Sequence, residues 1–479
     1  MEMPTLVGPT EVEGRASGHD QSGPEEEALA GRPTGFHRLW PSVDRVWMAL
    51  PLVLVAAQVV AVVTFGVVTI QRFPLWSPVD EGAHFDNVIY VAAHGSYPVL
   101  GKTLASEQEL AIGQGIYPRQ TTINPRKDGL GGLSYEAFQP PLYYYVAAPV
   151  SLLSGNYHTK AILLRYFGLL LLVVSIALFA RLSRHVLRRR WLLGLAGGLL
   201  IFLMPGFILR MVTISNMNLA VPLVILTATE LWIAWERESP LRLILCGALV
   251  GACVLTDLYL FEMAPLYAGV AGVLIWRRRD RSTVVPAVGG AVLAGIVVLP
   301  WLVFNEVKYH ALTATAIAKR EQLAIVNPQH VRDTIGQLPG YTLSWLFQPL
   351  MPEEWGTRLV GHAFYSTIAT YFQVLIVPAA IVLAIAVGRR LIGSGLWILL
   401  LPVACNVVLC WYVYYGQQWL SGSMVARYMY ATLPLLALFS VASVQLLFSA
   451  VRPLLVTLAL STAFLVVLWI WLLPTIASP

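Results

Sequence analysis

Apolar segments of about twenty residues recur from Val46 almost to the C-terminus, parted by polar stretches, and this constrains the chain more than any other feature. About twenty apolar residues in a helix cross the hydrocarbon of a bilayer, and in that solvent each backbone N–H and C=O must be satisfied within the segment. Hydrophobic residues make up 57% of the 479 and charged residues 12%, which is too apolar for a chain folded in water. The reading is an all-α polytopic membrane protein. Its net charge of +6 collects in short arginine clusters between spans, where it reports sidedness rather than nucleic-acid binding. Cys246, Cys253, Cys405 and Cys410 all fall in apolar segments. They have neither metal-ligand spacing nor loop positions for a disulfide framework, and read as small buried hydrophobes.

Residues 1–45, with Glu25-Glu26-Glu27 and several Gly and Pro, read as a disordered cytoplasmic tail. The leader is too long and acidic for a signal peptide, so the span Val46–Ile70 is expected to stay as an anchor. The membrane domain then covers 46–479. Arg181, Arg184, Arg188, Arg189 and Arg190 share one loop; Arg277, Arg278, Arg279 and Arg281 form a second cluster and Arg389-Arg390 a third, with Arg237, Arg242 and Arg452 as smaller markers. Placing all of these in the cytoplasm orders spans near 161–181, 191–209, 218–235, 241–256, 258–276, 284–304, 364–386, 394–413, 427–447 and 454–473, and puts the C-terminus outside. The stretch 140–153 is short and opens with Pro140-Pro141 and three tyrosines, which suits an interfacial helix. That gives eleven crossings. Counting 140–153 as a span gives twelve and leaves one arginine loop on the wrong side. The external face then receives 71–138, Thr213 to Asn218, the turn at Thr256 to Tyr259, the large loop 305–360 and 414–426.

Asp80-Glu81 stands about ten residues past the first span, in Trp76-Ser-Pro-Val-Asp-Glu-Gly-Ala-His84. Carboxylates held against a bilayer face lose hydration on the low-dielectric side. The alternative is a solvated turn, since Ser77, Pro78 and Gly82 are turn residues.

A first span, Asp80-Glu81 early in a long external loop, and Phe138-Gln-Pro-Pro-Leu-Tyr143 leading back to the membrane together resemble the GT-C membrane glycosyltransferases. That superfamily includes protein O-mannosyltransferases, the aminoarabinose transferases of lipid A and the oligosaccharyltransferase catalytic subunit. Asp80-Glu-Gly-Ala-His84 with Gly95-Ser-Tyr-Pro98 looks most like a bacterial branch carrying Pro-Asp-Glu-x-x-His. Asn216, Pro300-Trp301 with Asn305, and Ala426-Arg-Tyr428 extend the match along the chain. The chain departs from the pattern in having no acidic residue at Asn216-Met-Asn218, Phe138 where many members have His, and Asp257 where a lysine is common.

The resemblance implies a GT-C-type bundle with interfacial helices in the first external loop. It implies transfer of a sugar from a polyprenyl-phosphate donor to a glycan, lipid or protein acceptor of the cell envelope, with inversion. Asp80 is the expected base and Glu81 orients it or shares its proton. The departing phosphate needs positive charge from an arginine, a lysine or a divalent metal. Arg427 beside Tyr428 is the expected phosphate ligand; otherwise it snorkels to headgroups. Arg210 and Lys319-Arg320 are weaker candidates. Glu136, Gln139 and Asn216 are expected to contact substrate, as is His84, which alternatively joins Asp80 and Glu81 on a metal. Asp257 and Glu262 are either functional or paired with Arg165 or Arg210. Trp76, Tyr135, Trp345 and Trp355 could stack on sugar faces. A transporter or lipid flippase, the rival class, predicts repeated halves and a midplane site, and no such repeat is present.

Overall fold

The computed structural model describes residues 40–73, 75, 80–100, 102–103, 135–314, 385, 388, 390–411, 429–447 and 453–477; among them there are helices and turns and no strand. The chain divides into two units, 1–49 and 50–479. Of the first, only residues 40–49 are described, as the opening of helix α1 (Trp40–Arg72). In the second follow α2 (Glu81–His94), α3 (Leu142–Ser151), α4 (Tyr157–Leu187), α5 (Trp191–Phe202), α6 (Pro205–Val212) and α7 (Met217–Glu236). Then come α8 (Arg242–Thr256), α9 (Met263–Arg278), α10 (Arg281–Tyr309), α11 (Arg390–Ser394), α12 (Trp397–Trp411), α13 (Leu433–Leu447) and α14 (Pro453–Ala477), with 3-10 turns at Tyr135–Phe138 and Leu258–Glu262.

Among the described residues, five helical segments are long and apolar enough to cross a membrane: Ala49–Arg72, Tyr157–Phe202, Met217–Glu236, Leu258–Arg278 and Arg281–Tyr309. This is a helical membrane protein. Four further apolar helices, among them Arg242–Thr256, are shorter. Helix α3 has ten residues, a rise of about 15 Å against a hydrocarbon core of about 30 Å, so it is too short to cross. The expected span 364–386 lies outside the described residues except for residue 385.

Tyr157–Phe202 is a hairpin. Arg188 turns the chain at φ 48° and ψ −112°, and a Cβ on Gly198 would meet Phe179 while one on Gly194 would meet Ser183 and Leu187, an antiparallel register. The expected single span 191–209 is broken. Met204 is extended at φ −62° and ψ 134°, and Pro205 restarts the chain as α6, because the residue before proline is pushed out of the helical region.

Helices α8 and α10 pack through glycine. Gly247 and Gly251 sit four apart, and a Cβ on Gly247 would stand 1.9 Å from the Gly290 carbonyl oxygen. Small residues let two backbones approach in this way, which is a principal source of helix association in lipid. Gly247→Ala is expected to destabilise the fold by about 1–3 kcal/mol through overpacking, read as a lower thermal midpoint in detergent.

The bundle has two chemically different ends. At one, Glu230 accepts from Arg181 and Arg242, each at 2.5 Å. Glu236 pairs with His185 and Arg188 at 3.2 and 3.3 Å, and Glu238 with Arg277 at 3.4 Å. These contacts gather the C-terminal ends of α4, α7 and α9 with the start of α8. The opposite ends of α4, α7 and α8 are therefore together about 20–30 Å away, at about 1.5 Å per residue. Of the sequence-chosen residues, Glu81, Glu136, Gln139, Asn216 and Asp257 collect there.

Candidate functional site

Asp80 is buried and lies in the left-handed region at φ 66° and ψ 2°, immediately before α2. Of residues with a Cβ, aspartate and asparagine tolerate that conformation best, and its cost at a non-glycine position is often met at functional sites. What holds the turn is its neighbour. Glu81 is 0% exposed and forms a two-pronged ion pair with Arg165 of α4. Arg165 Nε donates to Oε1 at 2.8 Å and Nη2 to Oε2 at 2.6 Å. Arg165 Nη1 also donates to the Phe73 carbonyl at 2.7 Å, just past α1, and the Ile214 N–H reaches Glu81 Oε1 at 3.2 Å. One buried ion pair thus ties the end of α1, the start of α2, helix α4 and the loop before α7 into a single corner. Bidentate geometry with a backbone carbonyl on the remaining fork satisfies donors that burial would otherwise leave costly.

A second chain of hydrogen bonds joins the other candidates. Asn216 Nδ2, at the start of α7, donates to Asp257 Oδ2 at 3.2 Å, to the Thr256 carbonyl at 3.2 Å and to Gln139 Oε1 at 3.3 Å. Gln139 Nε2 donates to Glu136 Oε2 at 2.9 Å. Asn87, two turns into α2, donates to the Glu136 carbonyl at 2.9 Å. Asp257 Oδ1 caps the Leu258–Glu262 turn through the Tyr259 N–H at 3.0 Å. Asn216 lies 77 residues from Gln139 and 41 from Asp257, yet the fold makes them one polar layer with Glu136. Glu136, Asn216 and Asp257 are all under 5% exposed, and a buried polar network of this kind rigidifies when its members are satisfied.

Tyrosines close the layer from the side of α3. The Tyr97 O–H donates to the Gln139 carbonyl at 2.8 Å, and Tyr309, at the end of α10, accepts from the Leu100 N–H at 2.9 Å. His84 Nδ1 lies 2.7 Å from the Tyr144 hydroxyl. Burial pushes the phenols of Tyr97, Tyr143 and Tyr144 above the ordinary tyrosine range, so at neutral pH they keep their protons.

Arg165 takes Glu81 rather than Asp257 or Glu262 as its carboxylate. Asp257 is engaged by Asn216, and Glu262 by Asn406 of α12. Arg210, in α6 close to Thr213, is half-buried. Sequence reasoning missed Asn87, Tyr144 and Asn406 as polar partners. For Arg165 the signal was present, since a cation interrupting an apolar run calls for a carboxylate. Arg427, Tyr428, Lys319, Arg320, Trp76, Trp345 and Trp355 lie outside the described residues. Tyr135 opens the 3-10 turn before Glu136.

Among the described residues no three His, Cys, Asp or Glu side chains converge as a metal site requires. The Glu81 oxygens are engaged by Arg165, so Asp80, Glu81 and His84 do not make the three-ligand set that their spacing allowed.

A protein-family profile described as a domain of unknown function (DUF6311) matches residues 145–345. No curated protein matches the chain by sequence. Two solved structures from Archaeoglobus fulgidus are similar in fold. One, an oligosaccharyltransferase in complex with zinc and sulfate, is 13% identical at a TM-score of 0.49 over 86% of this chain and 52% of that one. The other, the archaeal oligosaccharyltransferase AglB with an inhibitory peptide and a dolichol-phosphate, is 11% identical at 0.43 over 92% and 55%. The chain thus spans about half the length of each.

Proposed function

We propose that this protein is a GT-C-type membrane glycosyltransferase that moves a sugar from a polyprenyl-phosphate donor to a cell-envelope acceptor on the external face. The observation that carries the reading is the buried polar layer from Asn87 through Glu136, Gln139 and Asn216 to Asp257, beside the Asp80 turn. It stands at the end of the bundle remote from the arginine clusters. Hydroxyl-rich substrates are recognised by such carboxylates and amides, and a transporter would place its polar groups near the midplane instead.

In this reaction Asp80 takes the proton of the acceptor hydroxyl as that oxygen bonds to the anomeric carbon. The bond from that carbon to the phosphate oxygen breaks, and the polyprenyl phosphate departs with the electron pair. Glu81, through Arg165, holds the Asp80 turn in place, while Glu136, Gln139, Asn216 and Asp257 orient the sugar. Arg427 with Tyr428 receives the phosphate. Nucleotide sugars are absent outside the cell, which is why the donor is lipid-linked. Incubating the purified protein with a panel of polyprenyl-phosphate sugars tests the reading: donor consumption with transfer supports it, and movement of intact lipid without cleavage supports a flippase.

Two expected results accompany it. Arg427→Ala weakens donor binding by about 1.5–3 kcal/mol, roughly ten- to a hundredfold, and Arg427→Lys restores part, since lysine keeps the charge but not the fork. An unchanged donor affinity returns Arg427 to a headgroup role. For sidedness, a cysteine replacing Arg189, which is exposed at the hairpin turn, stays unlabelled by an impermeant thiol reagent in intact cells and reacts after permeabilisation. Ser183, in the last turns of α4, is buried, so labelling there would report packing. Reaction of the Arg189 position from outside would reverse the topology.

A further inference from the structure

The imidazole of His84 meets a hydrogen bond from a neighbouring helix that bears on where its proton sits. Its Nδ1 meets the Tyr144 hydroxyl at 2.7 Å, in a buried contact between α2 and α3, with the two rings stacked at 5.9 Å and 22°. The Tyr144 phenol keeps its proton because it is buried, and the Asn87 side chain is a further hydrogen-bond partner of the same hydroxyl. Asn87 Nδ2 already donates to the Glu136 carbonyl, and an amide NH2 carries a second proton to offer. If the phenol oxygen accepts that proton, its own single proton is directed to His84.

We infer that Tyr144 donates to His84 Nδ1 and thereby fixes the neutral imidazole as the tautomer protonated at Nε2, making His84 a hydrogen-bond donor to an oxygen in the site. A neutral imidazole carries one N–H, and the bond at one nitrogen decides where it sits. Donation through Nδ1 leaves no lone pair there for a proton or a metal. The role is positioning: Nε2–H presents a fixed donor to an anionic oxygen, either the Asp80 carboxylate one turn back, whose backbone carbonyl accepts the His84 N–H at 3.0 Å, or a phosphate oxygen of the donor. This role rests on the reaction proposed above, whereas the tautomer does not.

The test is nitrogen-15 NMR of the full-length protein in lipid bilayers with labelled histidine, the His84 signals being assigned by their loss in His84→Gln. In the parent at neutral pH, the expected spectrum shows unprotonated Nδ1 and protonated Nε2. Tyr144→Phe keeps the ring in place and is expected to give a mixture of tautomers. A shift of the Nε2 signal in Asp80→Asn identifies the carboxylate as the acceptor, and a shift on adding polyprenyl phosphate identifies the substrate. A parent protein protonated at Nδ1 overturns the inference whatever its activity, as does a Tyr144→Phe spectrum identical to the parent's. If no donor is consumed and Nε2 is protonated, the reaction fails and the tautomer stands.

Discussion

Replacing Asp80 with asparagine is expected to leave a folded protein that still binds its lipid donor and transfers sugar about a hundredfold more slowly, or worse, the range over which a positioned general base acts. The backbone makes this substitution the informative one. At φ 66° and ψ 2° a residue with a Cβ pays about 1–2 kcal/mol unless it is asparagine or aspartate. Asp80→Ala would therefore mix strain with lost charge, while Asp80→Asn keeps the turn and the volume and removes only the proton acceptor. A turn aspartate without chemistry would tolerate asparagine, which also favours turns. Transfer at the parental rate by Asp80→Asn would end the assignment of the base. Thermal stability measured alongside separates lost chemistry from lost folding.

Removing Arg165 is expected to cost about 3–5 kcal/mol of stability, since Arg165→Met leaves the Glu81 carboxylate buried without its cation. Here the ion pair is almost fully enclosed, at 1% and 0% side-chain exposure, so solvent screening does little to soften the loss. Arg165→Met with Glu81→Gln is expected to recover part of the stability, because the uncompensated charge is gone, and the coupling between the two sites should exceed about 0.5 kcal/mol. Transfer should remain low in both, since the Phe73 carbonyl and the Asp80 turn lose their common anchor. Thermal unfolding of the single and double variants in one detergent reads the cycle. Additive losses would mean the pair is a contact without energetic consequence. The contrast with the other bundle end is instructive: Arg188 and Glu236 also pair, but with the arginine 80% exposed, where such a bridge is worth little.

The residues alone determined the helices, because a bilayer leaves an apolar segment no other way to satisfy its backbone. Apolar runs at 218–235, 241–256 and 284–304 reappear as α7, α8 and α10 with ends shifted by a few residues. Grouping the arginine clusters at one end and the polar candidates at the other was also legible, since charge between apolar runs is a local property of the chain. The break at Met204-Pro205 is legible in principle from the proline, which interrupts an otherwise continuous apolar run. Only the tertiary structure decided the partners. Glu81 and Arg165 are 84 residues apart, and Asn406 and Glu262 are 144 apart. Which buried carboxylate meets which cation or amide depends on how α2 and α3 dock on α4, and on which turn of α12 faces the Leu258–Glu262 segment. Apolar periodicity carries neither, because it records which face of a helix avoids water and not which neighbour covers it. The sequence reading therefore offered Arg165 to Asp257 or Glu262, while packing brought it to Glu81, the carboxylate next to the residue on which the proposed chemistry turns.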